Sequence, residues 1–147
     1  MSEVCLHLLT KIEVACGEDA LARIWSINNW VRSVDRVVDL DMKLDCDTEQ
    51  CFTLVFDGGR ETLDQVDVQR FRAENEIRVV HKVPPPGIQS LTALWWTEPE
   101  HDKWLFVRRT MLMDREAYSA DRTRQMFALL RENLTKLLGP QLCNHAY

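Results

Sequence analysis

The order of its predicted elements assigns this chain to the α+β class. One strand and two short helices precede six consecutive strands, and one long helix closes the chain. The closing helix gives the clearest signal, because apolar residues at offsets of 0, 3, 7, 10 and 11 form one stripe: Phe127, Leu130, Leu134, Leu137 and Leu138. A seven-stranded antiparallel sheet with this helix laid across its open side encloses a hollow, where we expect the functional site.

The strands follow from period-two alternation between turn residues. The first is predicted at residues 4–14, and the other six at residues 37–46, 50–56, 62–71, 75–83, 88–97 and 103–113. The inward positions of the second strand are predicted to be Val38, Leu40, Met42, Leu44 and Cys46. Those of the third strand are Phe52, Leu54 and Phe56.

Helix boundaries are predicted from capping residues. A first short helix opens at Gly17 and carries Leu21, Ile24 and Trp25, and a second lies around residues 28–34. Asp121 is the predicted N-cap of the closing helix, and residues 139–140 (Gly-Pro) stop it.

Composition restricts the class of protein. A chain of 147 residues predicts one domain over residues 1–147, and a net charge of −5 argues against nucleic acid as the main partner. The five cysteines include no CxxC pair, so reduced thiols are expected. No run approaches the length of a membrane span, and neither metal-ligand spacing nor a nucleotide motif occurs. We therefore expect a cytoplasmic protein without metal or cofactor, either a monomer or a homodimer.

Two arginines are predicted to point at the interior. Arg70 shares its face of the fourth strand with Val66 and Val68, and an inward cation is costly unless it is paired or contacts a ligand oxygen. Alternatively, Arg70 lies at the end of the strand and snorkels into solvent. Both faces of the last strand are apolar, so periodicity places either Arg109 or Arg108 inside.

The remaining candidates carry the same kind of ambiguity. Trp95 and Trp96 are adjacent on one strand, and either can be the core residue. His81 follows Ile77 and Val79 at period two, so it is either a hydrogen-bonded core histidine or a proton-transfer residue. Asp121 either caps the last helix or faces the mouth of the hollow.

Four stretches resemble the START/Bet v 1-like (SRPBCC) superfamily with its helix-grip fold, and in particular its bacterial polyketide aromatase/cyclases. They are residues 29–30 (Asn-Trp), 67–70 (Asp-Val-Gln-Arg), 87–96, and 107–113 followed by 121–134. The resemblance runs from about residue 12 to residue 138. It implies that Arg70, with Arg109, is catalytic and that His81 or Asp121 moves protons. It also implies that Trp30, Leu91 and Trp95 shape the bound chain, in a cavity whose inward walls include Phe56 and Val68.

By resemblance, the function is aldol cyclisation and dehydration of a poly-β-ketone intermediate. The ligand is then a polyketide or another hydrophobic small molecule, with an acyl carrier protein as a candidate partner. A rival interpretation uses the same hollow without catalysis, for binding or sequestering a lipid, a quinone or a natural product, with Arg70 as its carbonyl or anion anchor. The fold alone does not separate the two.

Overall fold

A computed structural model describes residues 3–29, 37–59, 62–84 and 87–138. The strands are β1 (Glu3–Glu13), β2 (Val37–Asp45), β3 (Glu49–Gly59), β4 (Thr62–Ala73), β5 (Glu76–Val83), β6 (Ile88–Trp96) and β7 (Trp104–Asp114). The helices are α1 (Gly17–Trp25) and α2 (Ala120–Leu138), with 3₁₀ turns at Pro99–His101 and Arg115–Ala117. Residues 27–29 begin a further helical turn, and the rest of the second predicted helix lies outside the described residues.

The strands form one antiparallel sheet in the order β1-β7-β6-β5-β4-β3-β2. Consecutive strands from β2 to β7 are neighbours, as short connections favour. The exception is β1, which pairs with β7 and places Leu8 opposite Arg109. The predicted seven-stranded antiparallel sheet is confirmed, and the two strands at its edges are β1 and β2.

The inner face of the sheet is apolar and is closed by both helices. On α1, Leu21, Ile24 and Trp25 are buried, as their spacing predicts. On α2, the last turns contribute three fully buried residues: Leu134, Leu137 and Leu138. The Nε of Arg23 donates to the Leu137 carbonyl at 3.2 Å, so it joins the last turn of α1 to that of α2. The helices are therefore tied to each other at the end of the sheet where both terminate.

The start of α2 corrects one predicted cap. The Oγ of Ser119 accepts from the backbone N–H of Arg122 at 3.0 Å, which makes Ser119 the N-cap. Asp121 lies one residue inside the helix, in its acidic first turn, where its carboxylate pairs with Arg124. Aspartate is favoured both as a cap and in the first turn, so the residue type did not distinguish the two positions.

The alternation predicted for β2 is partly wrong. Leu40 and Met42 pack against the core, but Val38 is 54% exposed and Leu44 is 42% exposed. The pairing of β2 with β3 shifts at two places, between residues 37 and 39 and between residues 42 and 44. Each shift reverses the face to which the following side chains point, because a bulge adds one residue to a period-two pattern.

Two glycines take positions that a side chain would obstruct or strain. Gly87, after the prolines between β5 and β6, has a φ of 84°, and its carbonyl accepts from the Asp114 N–H. At Gly17, an added Cβ would lie 2.6 Å from Cγ2 of Thr97 and 2.9 Å from Oδ1 of Asp102. The Gly17 N–H donates to that same Oδ1 at 3.1 Å, so the first residue of α1 packs tightly against the segment that precedes β7.

Candidate functional site

A cavity of about 880 Å³ lies between the inner face of the sheet and helix α2. Strands β3 to β7 and α2 all contribute to its lining, and Ile27 adds one residue from the turn after α1. The volume falls in the range of small-molecule sites. Exposed residues such as Glu132 and Lys136 also line it, so the cavity reaches the surface beside α2.

Aromatic and aliphatic side chains form the walls. The predicted wall residues Phe56, Val68, Leu91 and Trp95 all line the cavity. The predicted wall residue Trp30 lies outside the described residues. Most of the other wall positions are buried residues of the same strands: Phe52, Leu54, Val66, Val79 and Ala93.

The structure resolves the tryptophan ambiguity in β6. Trp95 is 2% exposed and lines the cavity. Trp96 lies on the outer face of the sheet, where it stacks on Phe106 with ring centroids 5.2 Å apart. The guanidinium of Arg108 lies 5.4 Å from the centre of the Trp96 ring. Both tryptophans are therefore packed, on opposite faces.

Arg70 points inward, as its phase predicts, and its guanidinium is hydrogen-bonded to protein groups. It is 3% exposed and lines the cavity. Its Nη1 and Nη2 donate to the carbonyls of Ile24 and Trp25 at 2.8 Å each, and its Nε donates to Oε1 of Gln50 at 2.9 Å. Nη2 makes a second bond to the same Oε1. These four bonds engage four of the five N–H groups of a guanidinium.

The partners of Arg70 belong to the end of α1. The carbonyls of the last helical turn carry partial negative charge, so a cation is favourable there. Gln50 also donates to the Trp25 carbonyl at 3.0 Å and to Asp45 at 3.1 Å. Burial lowers the pKa of Arg70 to about 9, against the opposing effect of Asp45, so the side chain stays charged at pH 7. The snorkelling alternative is wrong, and Arg70 anchors α1 to the sheet.

Arg109, not Arg108, is the inward arginine of β7. It lines the cavity, and its Nε is buried with no hydrogen-bond partner among the residues that the structure describes. Burial lowers its pKa below the ordinary value for arginine. A buried N–H without an acceptor costs about 1–3 kcal/mol, so this group is available to an acceptor on a ligand.

His81 faces the same cavity. Burial, followed by the positive charge of Arg109, lowers the pKa of His81 to about 4, so the imidazole is neutral at pH 7. Its Nδ1 is buried and has no partner within the described part of the chain. The register places His81 opposite Leu91 on β6, and Arg109 opposite Ala93 two residues further along. His81 and Arg109 therefore line the same cavity from β5 and β7, two strands apart, and the charge of Arg109 is felt at His81. The interpretation of His81 as a hydrogen-bonded core residue gains no support from its Nδ1.

Asp121 does not join this group. Its side chain is 79% exposed, it pairs with Arg124, and it is not part of the cavity lining. The expectation that Asp121 faces the mouth is therefore wrong. Ser119 is the N-cap of α2, and Asp121, in the first turn of the helix, points to solvent.

Several lining residues escaped the sequence analysis. Asp64 lines the cavity and shares the phase of Val66, and Gln50, the partner of Arg70, shares the inward phase of Phe52, so period-two alternation contains the signal for both. The polar residues of α2 had no such signal, because they lie at the edge of its apolar stripe: Arg122, Gln125, Glu132, Asn133 and Lys136. They form the rim of the cavity.

The arrangement of the cysteines and of the potential metal ligands gives less support to thiol or metal chemistry. Cys5, Cys16, Cys46 and Cys51 are free thiols, while Cys143 lies outside the described residues. Among described residues, no three His, Cys, Asp or Glu side chains cluster closely enough to hold a metal ion. Within the same ranges, no helix is both long and apolar enough to cross a membrane.

Comparison with solved structures identifies the fold. The di-domain aromatase/cyclase StfQ from the steffimycin biosynthetic pathway matches with a TM-score of 0.76 at 15% identity, over 92% of this chain and 50% of StfQ. This chain therefore spans half the length of that protein. The Zhui aromatase/cyclase from Streptomyces sp. R1128 matches with a TM-score of 0.69 at 13% identity, over 92% of this chain and 93% of Zhui.

A third solved structure shares the same architecture. Norcoclaurine synthase from Thalictrum flavum matches with a TM-score of 0.66 at 12% identity, over 94% of this chain and 96% of its own. No protein-family model and no curated protein sequence matches this chain. At these identities the likeness concerns the fold alone, a helix-grip fold in which a seven-stranded antiparallel sheet packs against a long C-terminal helix.

Proposed function

We propose that the protein binds a flexible poly-β-ketone or related polyketide intermediate in this cavity and guides its aldol cyclisation and dehydration. The observation that carries the proposal is that apolar walls surround two buried nitrogen atoms without a described hydrogen-bond partner, Nε of Arg109 and Nδ1 of the neutral His81. The fold shared with two polyketide aromatase/cyclases adds support at the level of architecture.

The reaction needs two contributions from the protein: a fixed geometry of the bound chain and stabilisation of the negative charge that develops on a carbonyl oxygen. A methylene between two ketones already loses a proton readily, so holding the chain in one reactive geometry supplies much of the rate. Arg109 donates from Nε to the carbonyl oxygen on which negative charge develops as the enolate forms. The neutral imidazole of His81 has one nitrogen free to accept the proton from that methylene and to give it to the alkoxide that forms when the enolate adds to the second carbonyl. In the dehydration the same nitrogen takes the remaining proton of that carbon and gives it to the hydroxyl group, which leaves as water.

Arg70 has a different role in this proposal from Arg109. Its donors hold the end of α1, so it fixes the wall of the cavity and contributes a buried positive charge. The walls that shape the folded chain are Trp95, Leu91 and Phe56. Trp30 remains a proposed wall residue. Asp121 is exposed, so it has no part in proton transfer in this proposal.

The test compares two adjacent arginines on opposite faces of β7. Arg109→Gln and Arg108→Gln are each combined with a minimal polyketide synthase, and cyclised products are measured against shunt products. Loss of one donor to a developing oxyanion lowers turnover by about 10²-fold or more, so Arg109→Gln shifts the profile to shunt products. Arg108→Gln leaves the profile unchanged. An Arg109→Gln protein that is folded by circular dichroism and still gives wild-type products would refute the proposed mechanism.

The carrier function remains the second candidate, and one observation favours it. The predicted proton donor Asp121 lies outside the cavity, and His81 is a weak base at a pKa of about 4. A carrier needs the walls and the anchor but no proton transfer. The two functions separate by ligand: in a carrier, Arg109→Gln weakens the affinity for an anthraquinone-type ligand, measured by tryptophan quenching, and no turnover exists to lose. Trp95→Ala weakens quenching under either function.

A further inference from the structure

The surroundings of Arg109 are apolar on every side within the sheet. Its cross-strand neighbours are Leu8 on β1 and Ala93 on β6, and its same-face neighbours along β7 are Val107 and Met111. All four are buried. Burial lowers the pKa of Arg109, and among the described residues no carboxylate opposes this effect. Arg109 is half-buried and its Nε is fully buried, and a cation held in such apolar surroundings is costly unless a counter-charge reaches it.

Arg70 provides the contrast, because its charge is compensated within the protein. Asp45 opposes the effect of burial on the Arg70 pKa, and Gln50 links the two side chains through hydrogen bonds. The helix-end carbonyls of Ile24 and Trp25 add partial negative charge. Two arginines of the sheet therefore line the cavity, and of these two only Arg109 lacks a described protein group that balances its charge.

Other charged groups line the cavity, but they lie at its rim or on distant strands and do not balance the charge of Arg109. Those lining it on the sheet are Asp57 on β3, Asp64 and Arg70 on β4, and His81 on β5. Those on α2 are Arg122, Glu132 and Lys136, of which Glu132 and Lys136 pair with each other at 3.4 Å. Asp57 and Glu132 are exposed, and Asp64 lies three strands from β7, about 14 Å along the sheet. The rim is therefore mixed in charge, whereas the floor at Arg109 and His81 is positive.

We infer that this cavity binds its ligand as an anion, with a phenolate, enolate or carboxylate oxygen placed against Arg109 Nε and His81 and the apolar part of the ligand against the walls. The inference rests on the proposed function in using the same cavity. It goes further, because a poly-β-ketone in its neutral keto form has no such charge. Either ring nitrogen of a neutral imidazole can carry its single proton, so His81 can donate a hydrogen bond to the ligand oxygen. Because the ring is neutral, it adds no charge of its own.

The experiment uses naphthyl probes in matched charged and neutral pairs, with the full-length protein. 2-Naphthoate is compared with 2-acetylnaphthalene at pH 7, and 2-naphthol with 2-methoxynaphthalene from pH 6 to pH 10. Affinity is measured by tryptophan quenching, and ionisation of the bound naphthol by its absorbance. An opposite charge within hydrogen-bonding distance lowers the pKa of an acid by about one unit or more, which corresponds to a preference of about tenfold or more for the anion.

Wild type and Arg108→Gln are expected to prefer the anionic member of each pair by that factor, and Arg109→Gln is expected to lose the preference. Preference for the naphtholate alone assigns the site to phenolates and enolates, and preference for both anions extends it to carboxylates. Equal affinity for the charged and neutral members overturns the inference and leaves the proposed function standing, because a neutral polyketide then still fits. Failure of every probe to bind folded wild type overturns both. If Arg109→Gln does not fold, the wild-type comparison within each pair still decides the question.

Discussion

Replacing Arg70 with methionine keeps most of the apolar stem and removes the guanidinium that anchors α1. Four hydrogen bonds are lost, two to the carbonyls of Ile24 and Trp25 and two to Gln50. The Trp25 carbonyl keeps its bond from Gln50, which limits the damage. Each buried acceptor that loses a charged donor destabilises the fold by about 1–3 kcal/mol. Because the variant no longer buries a charge, part of this loss is offset, and we expect a net destabilisation of about 3 kcal/mol.

The measurement is urea unfolding followed by circular dichroism, with thermal unfolding as a second readout. For a domain of this size, a loss of 3 kcal/mol lowers Tm by about 6–12 °C. Arg78→Met is the control, because the side chain of Arg78 is 66% exposed and its ion pair with Glu76 is a surface contact, worth less than about 1 kcal/mol. Arg70→Lys should be intermediate, since it keeps the charge and loses the planar fork.

A change below about 1 kcal/mol in Arg70→Met, with an unchanged denaturant slope, would refute the anchoring role. The outcome also bears on function. If Arg70 variants are this unstable, a loss of activity in Arg70→Ala reports the fold as well as the chemistry. Arg109 is then the better probe of catalysis, because its Nε makes no hydrogen bond to another described residue.

Three further predictions follow from packing and charge. Gly17→Ala should destabilise by about 1–3 kcal/mol in urea unfolding, because its Cβ would lie 2.6 Å from Thr97 Cγ2, and wild-type stability would contradict the packing. Leu134→Ala should cost about 2–5 kcal/mol, since Leu134 is 1% exposed, whereas Leu129→Ala on the same helix should cost far less because Leu129 is 42% exposed. The folded pKa of His81 is depressed to about 4 against about 6.5 unfolded, so protons bind the unfolded state first and stability falls as pH drops from about 6.5 to about 4. His81→Gln should lose less stability than wild type across that window, and equal losses would contradict the assignment.

Period-two alternation was enough to place the site residues whose strands are regular. Arg70 follows Val66 and Val68 on one face of β4, and His81 follows Val79 on β5, and the structure directs all of them inward. In β2 the same rule failed at Val38 and Leu44, because bulges depend on how one strand pairs with the next.

Alternation could not choose between faces that are equally apolar. Trp95 and Trp96 are both large aromatics, and Arg108 and Arg109 are adjacent on a strand with apolar residues on both sides. The choice depended on register: Arg109 is opposite the buried residues Leu8 and Ala93, whereas Arg108 is opposite Leu9, which is 61% exposed, and lies over the Trp96 ring. The outer stack of Trp96 on Phe106 explains why the outward face is also apolar.

The sequence by itself determined the class of fold, the seven strands, the closing helix and the inward phase of Arg70 and His81, because these follow from local periodicity and turn residues. Only the tertiary structure decided what each charged group does. The carbonyls that Arg70 bonds lie 45 and 46 positions before it, and nothing local predicts that contact. The apolar neighbours of Arg109 likewise come from other strands. Partners and counter-charges are set by register and packing between distant segments, and these decide whether a buried cation anchors the fold or is available to a ligand.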